Sequence, residues 1–166
     1  MARAAGRWRS RFPAFNQSSR MARFFTLKQA ERLLPEVGSA IRDAVSLKAS
    51  YQQAETEMRR TAEWIRLSGG ASVDREQVQA AKNRRDASAA ELKEAIDKIQ
   101  EFGCIVKDLD IGLIDFPTLL RGEEVYLCWK LGEAGILFWH GVEEGFAGRK
   151  KIDHDFLDNH AGDLPN

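Results

Sequence analysis

From Val37 to Ile65 apolar residues follow alternating spacings of four and three, and beyond the break Ser68-Gly69-Gly70-Ala71-Ser72 a second apolar stripe runs to Phe102. The break is turn chemistry. Two helices joined by so few residues must run antiparallel, so the chain is committed to a long helical hairpin. The first arm carries the stripe Val37, Ile41, Ala44, Tyr51, Met58, Ala62 and Ile65, with Leu47 and Ala54 filling the seam where Lys48 and Glu55 interrupt it. The second carries Val78, Ala81, Leu92, Ile96, Ile99 and Phe102. Thr26 with Gln29 reads as a capping box, Asp74 as the cap of the second arm, and Gly103 as its left-handed terminator. Pro35 would break a helix interior but suits a first turn, which predicts a short helix over 27–34 and a long one over about 36–67. The second arm is predicted over about 75–102. At 1.5 Å per residue each long arm spans roughly 40–48 Å, more than a 60-residue β region covers. Either the arms pair only with each other, as a coiled coil with a frayed tip, or part of the stripe packs on another copy or on a partner protein.

After Gly103 the period changes to 2. Residues 104–107 and 113–116 read as strands, the second stopping at Pro117, with a turn at 121–124. Glu124 to Leu131 is the clearest strand, with Val125, Leu127, Trp129 and Leu131 on one face and Tyr126, Cys128 and Lys130 on the other. Gly132 to Gly135 turns the chain and 136–140 returns it. The class is therefore α+β: a long antiparallel helical hairpin followed by a three- to four-stranded antiparallel meander. The meander puts Glu133 and His140 at opposite ends of the sheet. Residues 153–166 show no periodicity and read as a flexible tail.

The 166 residues hold 25 basic and 25 acidic side chains, which argues against a whole-protein polyanion binder. The balance hides a gradient: residues 1–70 carry 13 basic against 6 acidic groups, residues 101–166 the reverse, 6 against 13. No apolar run is long enough to span a bilayer. Cys104 and Cys128 are too few and too isolated for a disulfide framework or a structural zinc site. Residues 1–20 carry five arginines and no acidic residue, without the apolar core of a secretory signal. They read as a disordered extension, or as an over-extension of a reading frame that starts at Met21; a nucleic-acid-binding arm is the alternative. The domain proper is expected over 21–152, with the hairpin at about 27–102 and the β region at about 104–152.

Three segments, FTLKQAERLLPEV up to Val37, VKDLDIGLIDFP at 106–117 and VYLCWKLGEAGILFWHGVEEGFAGRK at 125–150, resemble a prokaryotic family known as domain of unknown function 2203. The resemblance covers nearly everything from Met21 to Ile152. It implies a helical hairpin plus small sheet, a cytosolic bacterial protein and a start at Met21. It implies no activity and no catalytic residue.

Candidate ligand or metal residues are Asp108, Asp110, Asp115, His140 and Arg149. The three aspartates fall in one strand–turn–strand unit whose oxygens suit a divalent ion; Asp108 and Asp110 equally suit a tight turn. Gly112 and Leu113 exclude an EF-hand. His140, with Glu133, Glu143 and Glu144 near in sequence, can serve as a base or ligand, or simply bond a backbone carbonyl. Arg149 can clamp an anion, or pair with Asp115 or Glu133. Cys128, with no feature to lower its pKa, reads as a packed thiol. Trp129, Phe138, Trp139 and Phe146 read as core or as a partner patch. No cofactor is expected beyond a divalent metal. The function expected is a non-enzymatic interaction or scaffold module self-associating through the hairpin. The alternative is a small metal-dependent enzyme or ligand-binding protein using the polar loops of the β region.

Overall fold

The computed structural model describes residues 23–69 and 74–163. The basic arm 1–20 and the centre of the hairpin turn lie outside these residues. α1 spans Leu27–Leu67 and α2 spans Arg75–Glu101. The capping box at Thr26 forms as read, Thr26 Oγ1 accepting from the Gln29 amide at 3.2 Å and Gln29 Oε1 accepting from the Thr26 amide at 2.8 Å. Asp74 caps α2 through the amides of Glu76 and Gln77.

α1 is one helix of 41 residues, not the predicted pair, and Pro35 lies inside it. Pro35 and Glu31, whose carbonyl loses its usual donor, are both exposed, so water can take the missing bond. The buried face, Ala30, Val37, Ile41 and Ala44, runs on uninterrupted along the other side. Tertiary burial thus overrides the local penalty.

β1 (Ile105–Asp108), β2 (Leu113–Leu120), β3 (Glu123–Lys130) and β4 (Phe138–Gly141) form the antiparallel meander, extended by β5 (Lys150–Lys151). β2 does not stop at Pro117. The side of Pro117 away from β3 meets neither β1 nor β6, and its carbonyl accepts from the Phe25 amide at 2.7 Å, so no ladder bond is lost. The β2–β3 turn is correspondingly tight, made by Arg121 and Gly122 with φ of 53° and 85°. Ile136 drops into the core, so β4 begins at Phe138 rather than at Ile136.

Residues 153–163, expected as a tail, are folded onto the domain. α3 (His154–Asn159) buries Phe156 against Trp139, and β6 (His160–Ala161) pairs with β2, making the sheet six-stranded. One burial anchor, Phe156, is too little periodicity to read from sequence.

The core lies between the hairpin base and one sheet face, where Val37, Ile41, Leu92 and Ile99 meet Ile114, Phe116, Leu127 and Trp129. Beyond Ala54 no described α1 side chain is buried, and on α2 only Ala81 is buried before Leu92. No helix among the described residues is long and apolar enough to cross a membrane.

Candidate functional site

Strand alternation sends Ile114, Phe116, Leu127 and Trp129 toward the helices, so Asp115, Cys128 and His140 face the other way. Register completes the grouping: Asp115 lies opposite Cys128 on β3, and His140 lies opposite Tyr126, two residues from Cys128. One donor atom from each of Asp115, Cys128 and His140 lies within 4.8 Å of the others, and all three side chains are 0 % exposed.

His140 Nδ1 lies 2.8 Å from the Gly141 carbonyl, which can only accept, so Nδ1 carries a proton. Nε2 then faces Asp115 Oδ2 at 3.1 Å, and that contact holds one proton, on either partner. Lys107 Nζ reaches the same oxygen at 3.7 Å and lies over the Tyr126 ring. Asp115 Oδ1 is buried without a hydrogen-bond partner. Burial pushes the Asp115 carboxyl up, with His140 and Lys107 pulling the other way. Burial, reinforced by the charge of Asp115, pushes the Cys128 thiol up to about 12. A protonated, enclosed thiol is no nucleophile.

Arg149 sits beside this group. Its guanidinium lies over Phe138 and Phe146 at 4.2 and 4.9 Å, donates to Glu133 Oε2 at 2.7 Å and reaches the Cys128 carbonyl at 3.3 Å. Of the two carboxylates considered for Arg149, the ion pair forms with Glu133. Burial pushes Glu133 up, but bonds from Arg149 and the Lys130 amide outweigh it and leave the carboxyl below its ordinary value. Glu133 is thus engaged with Arg149 and β3, while His140 is engaged with Asp115.

Asp108 and Asp110 stay apart from this group. Asp108 Oδ1 accepts from the Asp110 amide at 2.7 Å, closing the turn after β1, and Asp110 pairs with Lys48, a buried lysine of α1. The Lys48 break in the apolar stripe thereby has a partner. Sequence reasoning set Cys128 aside because nothing near it in the chain lowers its pKa. The signal was present in the alternation Tyr126-Cys128-Lys130, which puts the thiol on the polar face, but the partner strand was needed to show what it meets.

A second surface is the far half of the hairpin, where Trp64 and Leu67 are 51 % and 73 % exposed and Arg84 pairs with Glu57 across the seam at 3.5 Å. No curated protein and no solved structure matches the chain. Residues 23–152 match the family described as uncharacterised conserved protein, DUF2203. With its helical hairpin packed on an antiparallel sheet, the chain belongs to the DUF2203 family.

Proposed function

We propose that the protein is a non-catalytic interaction module that pairs with a second copy of itself through the hairpin. The buried group on the sheet offers no exposed reactive atom, whereas the hairpin offers an extended accessible face. α1 is about 60 Å long and the longest strands about 27 Å, so the sheet covers only the base of the arm. The observation that carries the reading is the charge polarity of α2: Arg75–Asp86 holds four basic and two acidic residues, and Glu91–Glu101 two basic and four acidic. Two antiparallel copies of α2 with Ser88 at the midpoint set Lys82 against Glu94 and Arg75 against Glu101, each twice by symmetry. Small exposed residues between them, Ala87 and Ala90, allow close approach.

Exposed pairs contribute about 0.2–1 kcal/mol each, so reversing two per copy weakens such a dimer by about 10-fold or more. Sedimentation at micromolar concentration is expected to show a dimer, with Arg75→Glu/Lys82→Glu shifting it to monomer and added Glu94→Lys/Glu101→Lys restoring it. A wild-type monomer at these concentrations, or a dimer indifferent to the reversals, overturns the reading.

A further inference from the structure

We propose that Asp115, Cys128 and His140 form a binding site for a zinc-class divalent ion, held by Asp115 carboxylate oxygen, Cys128 Sγ and His140 Nε2. The site is independent of hairpin pairing.

The donor set is the first argument. One thiolate, one imidazole and one carboxylate suit borderline-soft zinc and its neighbours rather than magnesium or calcium, which take oxygen shells. The spacing is the second. Tetrahedral bonds of about 2.0–2.3 Å hold donor atoms about 3.3–3.6 Å apart. Nε2 and Oδ2 stand 3.1 Å apart and all three donors lie within 4.8 Å, so small side-chain movements would bring three donors to bonding spacing, with a water as the fourth tetrahedral ligand.

The third argument is preorganisation. A histidine that ligates through Nε2 is usually fixed by an Nδ1–H bond to a carbonyl or carboxylate, and the Gly141 carbonyl supplies it at 2.8 Å. β3 and β4 hold Cys128 and His140 on one rigid sheet face, two register positions apart. Asp115 Oδ1, on the carboxylate that meets His140, is buried with no hydrogen-bond partner.

The exchange also balances. Before binding, the thiol is neutral, and the His140–Asp115 pair with its shared proton has no net charge. Binding releases two protons to solvent, one from Sγ and one from the Nε2–Oδ2 contact, and admits one ion of charge +2. Sγ becomes a thiolate ligand, Nδ1 keeps its proton, and no electron moves. The enclosed site therefore gains no net charge, which avoids the large penalty of burying an uncompensated ion. Lys107 competes for Asp115 Oδ2, but its side chain is 34 % exposed and can withdraw toward water.

The test uses the full chain, stripped with a chelator and titrated with zinc against a chromophoric competitor, and separately with cobalt. One ion per chain is expected, and the cobalt form is expected to show a thiolate-to-metal charge-transfer band with tetrahedral ligand-field intensity. Cys128→Ser and His140→Gln are expected to weaken zinc by about 100-fold or more, while His154→Gln, on exposed α3, leaves affinity unchanged. Because buried variants can unfold, the cobalt spectrum of the folded wild type decides independently. No charge-transfer band in that spectrum, zinc affinity unmoved by Cys128→Ser in a folded variant, or binding that follows His154 overturns the proposal.

Discussion

Arg149→Met isolates what the arginine does for the sheet, because methionine keeps the unbranched stem and deletes only the guanidinium. Four contacts go at once: the bond to Glu133, the reach to the Cys128 carbonyl and the two ring contacts. Glu133 and Arg149 are only 19 % and 11 % exposed, so water recovers little of the pair. A hydrogen bond between charged partners contributes about 1.5–3 kcal/mol net. Partly buried cation–ring contacts add about 0.5–1 kcal/mol. Thioether–ring contacts return some of that. The expected loss is about 2–3 kcal/mol by urea unfolding, or about 5–10 °C in Tm for a chain of this size. A double-mutant cycle with Glu133→Gln is expected to show a coupling of about 1–2 kcal/mol. Acid adds a check on sign. The folded Glu133 carboxyl lies below its ordinary value of 4.5, so its contribution is present above that value and lost as the pH falls through the lowered one. The gap between wild type and Arg149→Met must therefore narrow in acid. Additive single effects, or a loss under about 0.5 kcal/mol, refute the reasoning.

Pro35→Ala restores a donor to the Glu31 carbonyl in an exposed helix interior and is expected to stabilise by about 1–3 kcal/mol, measured by urea unfolding; a destabilised variant would show that the ring is wanted where it is. Phe156→Ala empties a site 1 % exposed, against Trp139 and His160, and is expected to lose about 3–5 kcal/mol with amide exchange rising first at His160 and Ala161. Gly162→Ala would place a Cβ 2.4 Å from the Thr26 backbone nitrogen, so the 160–163 segment must lift, read as lost protection of the Phe25 and Thr26 amides. Cys128, enclosed and held near 12, is expected to resist alkylation at neutral pH in the folded chain and to react promptly in denaturant.

The hairpin and the meander were legible because each rests on a repeated pattern: the four-and-three stripe from Val37 to Ile65, and the alternation from Val125 to Leu131. Pro35 misled because a local steric rule was applied without knowing that its residue faces water. Pro117 misled for a different reason: it is buried, but a strand tolerates proline where no neighbour needs its N–H. The site was half legible. Asp115 and His140 stood out by residue type, but Asp108 and Asp110 stood out equally. Only the register that pairs Asp115 with Cys128, and sends Asp110 to Lys48, separates them. Cross-strand register depends on turn geometry at Arg121-Gly122 and on a bulge between Val106 and Asp108, neither of which hydropathy reveals.

The way residues 160–163 fold back has a mechanical consequence. Phe24 and Asp163 exchange bonds, amide to carboxylate at 2.9 Å and amide to carbonyl at 2.8 Å, and His160 Nε2 accepts from the Leu27 amide at 3.1 Å. Residues 24 and 163 thus lie side by side, and the described segment between them is nearly a closed ring. Tension applied across positions 24 and 163 peels this short clasp one bond at a time and leaves the hairpin unloaded. Linking those positions and reopening the ring in the exposed Arg121-Gly122 turn yields a rearranged chain whose sheet neighbours are unchanged.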